Sequence, residues 1–215
     1  MREFTIQVSQ DTILDIYGIP DDRLYNVEDI LFYGKKFLLE YLKSFQDQDE
    51  KTIYKNLVIS LAWFLALTNR YHLDLEKMTW KRYSYKCPFC GSIPCICRAE
   101  EGIKTVKTGR PGSMKPKNLG KWQEMISKIY PNEITGDLNL LLIRRNDNLH
   151  YFYRKFLREK EKKYFNEIEK GTSDFFVIFL RVYNSLARDL ADDFLWLFQD
   201  GCYICHKTPC ECNYY

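Results

Sequence analysis

The sequence predicts an all-α protein made of two tandem copies of one helical module, each followed by a small four-cysteine knuckle. Three observations predict it. The eight cysteines fall at 87, 90, 95 and 97 and again at 202, 205, 210 and 212, so a constant separation of 115 residues maps one set onto the other. The same separation maps Leu65 onto Leu180, Asn69 onto Asn184, Asp74 onto Asp189 and Leu75 onto Leu190, which carries the duplication into the run before each set. No segment sustains the two-residue alternation of a half-buried strand, whereas several place apolar residues at i, i+3 and i+4. Upstream the register drifts: residues 35–37 match 154–156 at a separation of 119, and 13–17 resemble 126–130 at 113, as loops of unequal length would produce.

In the first copy, Val27, Ile30, Leu31, Phe37, Leu38, Tyr41, Leu42 and Phe45 form one apolar stripe, and Asn26 is placed to cap its start. Residues 52–70 are apolar on nearly every side, as in a helix surrounded by others. Asp74 offers the cap of a short helix running through Leu75 and Met78 toward Tyr83 and so into Cys87. The second copy repeats the order with expected helices at 122–129, 147–168, 173–190 and 192–198. Between the copies, residues 98–118 carry Gly102, Gly109, Pro111, Gly112 and Pro116 without a hydrophobic period, which reads as a linker. The expected division is therefore 1–97, a linker 98–118, and 119–215.

Bulk properties exclude more than they assign. At 215 residues and 46% hydrophobic content the chain can bury cores, and a net charge of +3 announces no nucleic-acid partner. The linker alone has a net charge of +4, which reads first as a solvated connector with incidental charge and would also suit a phosphate-bearing partner such as a nucleic acid. The longest apolar run, 57–67, falls short of the ~20 residues of a membrane span, so no membrane association is expected. The start of the sequence lacks a secretory pattern, which points to a cytoplasmic, reducing setting and to thiolates rather than disulfides.

Each cysteine set has the form C-x2-C-x4-C-x-C. A C-x2-C pair closes a tight turn that aims both sulfurs at one centre, and zinc imposes no geometry that the second pair must oppose. Cys87, Cys90, Cys95 and Cys97, and Cys202, Cys205, Cys210 and Cys212, are thus expected to hold one structural Zn2+ each, with Pro94 and Pro209 stiffening the connecting turns. Disulfides, free thiols and an iron–sulfur cluster are the competing readings. His206 is a replacement ligand only if a cysteine gives way.

The stretch LAWFLALTNR over 61–70, with Leu73, Asp74, Leu75 and Glu76, then Trp80 to Tyr83 and the first cysteine set, resembles the C-terminal half of small MazG-like nucleotide pyrophosphohydrolases. The second copy resembles them through Trp122, Gln123, Glu124, Tyr130, Asn184, Asp189, Leu190 and the second set. The resemblance implies an all-α fold that assembles as a dimer or larger, and Mg2+-dependent cleavage of nucleoside triphosphates to monophosphate and pyrophosphate. That chemistry uses an E-E-x-x-E pattern facing E-x-x-D. The second pattern falls here on Asn56 and Ile59 and on Gly171 and Asp174; the first falls near Gly34, Lys35 and Leu38 and near Tyr153, Arg154 and Leu157. Asp174 is the residual catalytic candidate, and equally reads as a first-turn acid after Ser173. Glu159, Glu161, Glu167 and Glu169 read as a solvated face among lysines. Asn69 and Asn184 are candidate nucleotide contacts or, alternatively, helix-end hydrogen-bonding residues.

The expected function is that of a catalytically inactive tandem MazG-like protein, a pseudoenzyme acting as a zinc-stabilised interaction or scaffold module. Its partners would be a protein or a second copy, met through helical faces, or a nucleotide, and its copies would pack as an internal pseudo-dimer. The alternatives are an active nucleotide pyrophosphohydrolase, which alone would need Mg2+ and a rearranged carboxylate set, and a nucleic-acid-binding zinc protein using the linker.

Overall fold

Helices account for all the regular structure in the computed structural model, which describes residues 4–97, 114–131 and 133–212. In chain order they are α1 (Ile6–Leu24), α2 (Val27–Gln46), α3 (Glu50–Arg70), α4 (Leu75–Tyr83), α5 (Leu119–Ile129), α6 (Thr135–Glu159), α7 (Lys162–Ser185) and α8 (Leu190–Phe198). By the repeat, α1 to α4 correspond to α5 to α8. No strand occurs among the described residues, and no described helix is long and apolar enough to cross a membrane.

Local chemistry explains most boundaries. The Asn26 side chain accepts from the Asp29 N–H at 3.0 Å while the Asp29 carboxylate accepts from the Asn26 N–H at 2.9 Å, a reciprocal capping box that starts α2. Asp49, Asp74 and Asn118 cap α3, α4 and α5 one-way, their side-chain oxygens accepting from the N–H groups of Thr52, Lys77 and Lys121. The α6–α7 boundary departs from expectation. α6 begins at Thr135 rather than 147 and ends where Lys160 adopts a left-handed φ of 55° and donates its N–H to the Phe156 carbonyl at 2.8 Å. α7 then runs unbroken through Gly171, which a helical pattern tolerates because Leu149 packs so closely that an added Cβ would lie 3.0 Å from its Cδ2. Asp174 consequently lies in mid-helix, and its reading as a first-turn acid is corrected. α1, for which no helix was expected, accommodates Pro20 in its last turns.

The chain folds as two compact units that do not coincide with the two sequence copies. The α3 unit combines Ile6–Leu73 with Ala191–Tyr215, and the α7 unit combines Asp74–Leu190 with the start of the chain. In the α3 unit, α3 packs against α1 and α2; it buries Ile53, Leu57, Val58, Ile59, Leu61, Phe64 and Leu65, each worth ~1.5–3 kcal/mol of transfer free energy. In the α7 unit, α7 packs against α4, α5 and α6 and buries Phe175, Phe176, Val177, Phe179, Leu180 and Tyr183. Each unit thus takes three helices from one copy and the short helix and knuckle from the other. Cutting the chain at 98–118 separates the copies in sequence but not the packed units; residues 98–113 of that linker lie outside the described residues.

Candidate metal centres

Each knuckle begins as its short helix ends. Cys87 donates its N–H to the Ser92 carbonyl at 3.1 Å and accepts from the Gly91 N–H at 2.9 Å; Cys202 repeats this with Lys207 at 3.1 Å and His206 at 2.7 Å. Gly91 and His206 occupy the same left-handed position, with φ of 72° and 54°. The peptides preceding Pro94 and Pro209 are both cis.

The resulting sulfur positions match between knuckles. Sγ of Cys87 and Cys97 are 3.7 Å apart and those of Cys90 and Cys95 are 3.9 Å apart, as are the corresponding pairs Cys202–Cys212 and Cys205–Cys210 at 3.7 and 3.9 Å. All four sulfurs of each set lie within 4.8 Å of one another. Four thiolates about one tetrahedral ion at ~2.3 Å stand ~3.8 Å apart, whereas a disulfide requires about 2 Å. The donor set and its geometry therefore fit a metal ion, and none of the eight thiols is in a disulfide. Backbone amides favour the ligating form at one cysteine of each set, whereas burial and the neighbouring thiols raise Cys95, Cys97 and Cys212. Burial pushes the Cys90 thiol up, but the N–H groups of Ile96 and Ser92 aimed at its sulfur draw it down to about 6. The N–H groups of Glu211 and Lys207 against slight burial do the same for Cys205, also to about 6.

Each knuckle is fastened to the opposite copy by a carbonyl that its own helix leaves unpaired. Cys95 donates its N–H to Ile129 at 2.7 Å, and Ile129 is the last residue of α5, where no further turn supplies a donor. Cys210 donates its N–H to Ile16 at 2.7 Å. Ile16 lies inside α1, but its helical partner four residues on is Pro20, which has no N–H. Ile16 and Ile129 are equivalent at the separation of 113, so a proline in one copy and a helix end in the other create the same acceptor. The Tyr130 hydroxyl adds a contact to Cys87 Sγ at 3.4 Å.

The other candidate residues are placed as follows. Asn69 donates to the Gln10 carbonyl at 2.8 Å and accepts from Gln10 Nε2 at 3.3 Å; Asn184 does the same with Gln123 at 3.0 and 3.1 Å. Gln10 Nε2 also reaches the Leu73 carbonyl, and Gln123 reaches that of Arg188, both at 2.9 Å. Both asparagines thus lock a helix end to the first helix of their own copy. Gln10 was not singled out in the sequence, and Gln123 only as part of the resemblance, although the two are 113 residues apart, the register already visible at 13–17.

Asp174 is buried, and its carboxylate accepts from Arg82 Nη2 at 3.0 Å and the Tyr83 hydroxyl at 2.6 Å, with Arg82 Nε on the same oxygen as the tyrosine. Burial and then the Asp174 charge push the Tyr83 hydroxyl well above its usual range; burial opposes the charge on Arg82, but Asp174 outweighs it. The equivalent positions in the α3 unit are Ile59, Leu197 and Phe198, an apolar version of the same cluster. Asn56 donates to Ser44 Oγ at 3.3 Å, and the Gly34 carbonyl accepts from Ser60 at 3.0 Å. Leu38 and Tyr153 are core residues. Glu159, Glu161 and Glu167 pair with Lys155, Lys163 and Lys170. Lys115 of the linker pairs with Glu76 at 2.5 Å. Among the described residues, the two cysteine sets are the groupings of three or more His, Cys, Asp or Glu close enough to hold a metal ion. No protein-family model, no curated protein and no solved structure matches the chain.

Proposed function

We propose that the chain is a tandem MazG-like pseudoenzyme in which two structural zinc ions staple exchanged tails, and that it works as an interaction or scaffold module in a reducing, cytoplasmic setting. The observation that carries the reading is the state of Asp174. The carboxylate retained at a family metal position is held by a guanidinium and a phenol, so its oxygens face donors where a magnesium ion would require them free. Its three companions are Asn56, Ile59 and Gly171, engaged in packing or hydrogen bonding. The choice of zinc rests on four thiolates in tetrahedral spacing with all positions filled by protein, which suits a structural ion and leaves no open position for substrate. A protein partner or a second copy would be met through helical faces, and a nucleotide or nucleic acid would be held without turnover.

The test is pyrophosphate release from ribo-, deoxyribo- and modified nucleoside triphosphates with Mg2+ or Mn2+, comparing the protein with Asp174→Asn. The expected result is no turnover in either. Turnover that disappears in the variant would establish a working metal centre in the α7 unit and overturn the pseudoenzyme reading.

A further inference from the structure

One difference between the two units lies beside the knuckle. In the α7 unit, Arg181 lies over the Tyr130 ring with its guanidinium 4.2 Å from the centroid and pairs with Glu133, while Arg82 stacks on Phe89 at 5.4 Å. Charged side chains fill the space between α5, α7 and the knuckle. In the α3 unit the position of Arg181 is taken by Ala66, and the space stays open as a solvent-continuous pocket with a cavity volume of about 50 Å³, lined mainly by Tyr17, Ile59, Ala62, Trp63, Phe198 and Tyr203. Four of the lining residues, Tyr17, Trp63, Phe198 and Tyr203, are aromatic. Trp63 stacks on Tyr33 with centroids 5.1 Å apart, and Phe198 holds Tyr17 and Tyr203 edge-on at 6.1 and 6.2 Å, so the walls are braced from behind.

One acid lines this pocket. Asp21 is 8% exposed, and its carboxylate receives no hydrogen bond from any described residue. Arg70, the nearby cation, is committed elsewhere: it donates to the carbonyls of Tyr25 at 2.7 Å and Asp21 at 2.6 Å and to the Asp22 carboxylate at 3.0 Å. Asp21, Asp22 and Arg70 together leave one uncompensated negative charge at an apolar, aromatic pocket. A buried carboxylate without a donor is costly, and a ligand that supplies one is correspondingly favoured.

We propose that this pocket binds a small organic cation with an apolar body, its ammonium group against the Asp21 carboxylate and its body among Trp63, Phe198 and Tyr203. Aromatic walls beside a carboxylate are the chemistry that recognises alkyl- and arylammonium groups, because ring faces and the acid attract the same charge. An anion of the same size is disfavoured by Asp21, and a neutral ligand can donate a hydrogen bond to the carboxylate but leaves its charge uncompensated.

The proposal stands apart from the pseudoenzyme reading, since no residue of the pocket belongs to the family's metal set except Ile59. Binding of phenethylamine, 2-phenylethanol and 3-phenylpropionate to the zinc-loaded protein is to be followed by titration calorimetry and by shifts of assigned amide resonances at about pH 8, above the titration of Asp21. The expected result is saturable binding of phenethylamine at least about tenfold tighter than of the alcohol or the carboxylate. Asp21→Asn is expected to remove that preference while the alcohol still binds. Ala66→Arg, which copies the filled unit, is expected to abolish binding of all three, and the retained helical circular dichroism of either variant identifies it as folded. Equal affinity for the three probes, unchanged amine affinity in Asp21→Asn, or absence of saturable amine binding to the parent protein would each overturn the proposal.

Discussion

Replacing Asp21 by asparagine is expected to stabilise the protein at neutral pH, and by an amount that depends on pH in a definite sense. Burial, opposed by Arg70 and reinforced by Asp22, raises the Asp21 carboxyl from the ordinary 3.8 to about 7. Between those values the folded state keeps a proton that the unfolded state has released, so stability falls as pH rises. The stabilising contribution is full below about pH 4 and lost once pH passes about 7, and a displacement of about three pH units corresponds to ~4 kcal/mol at most. The amide introduced by Asp21→Asn would carry no charge at any pH. The stability of the variant minus that of the parent should therefore grow by ~1.4 kcal/mol per pH unit from about pH 5 to pH 7 and level off above. Urea unfolding with 1 mM zinc present, followed by circular dichroism at several pH values, measures it. A difference that does not change with pH would refute burial of a charged carboxylate at this position. A variant less stable than the parent at pH 8 would refute the absence of a donor to Asp21.

The buried cluster in the α7 unit makes a prediction from its own counterpart. Arg82→Leu alone strips Asp174 of its hydrogen-bonded cation and leaves it only the Arg145 guanidinium at 3.9 Å, which should cost ~3 kcal/mol in chemical denaturation, while the triple change Arg82→Leu, Tyr83→Phe and Asp174→Ile, which copies Leu197, Phe198 and Ile59, should recover most of that loss. His206 holds a left-handed φ of 54° where the other knuckle has Gly91, so His206→Gly should raise stability by ~1 kcal/mol and leave metal content unchanged.

What was legible in the sequence follows from how local the determining physics is. The cysteine sets, the caps Asn26 and Asp74 and the apolar α3 were visible because each depends on residues a few positions apart. The α6–α7 boundary was not, because the turn at Lys160 carries neither Gly nor Pro, whereas Gly171, which does read as a breaker, sits inside α7 for the sake of Leu149. α1 was obscured by Gly18 and Pro20, and the same proline turns out to present the Ile16 carbonyl to Cys210. The exchange of tails was out of reach for a different reason. A repeat identifies which segments are equivalent but not which copy's knuckle closes which bundle, since both pairings satisfy the same pattern. The Asp21 pocket depends on differences between the copies, Ala66 against Arg181 and Ile59 against Asp174 among them, that mean nothing until Tyr17, Trp63 and Phe198 are brought around them.

The central claim, that two tetrathiolate metal sites complete the two units, is tested most directly by metal and thiol stoichiometry on the purified protein. Mass-spectrometric metal analysis should find two zinc ions per chain, with the eight cysteines reacting with a thiol reagent only after chelation or unfolding. Eight thiols reacting at once in a metal-free folded protein, or no free thiols because the cysteines are oxidised in pairs, would contradict it.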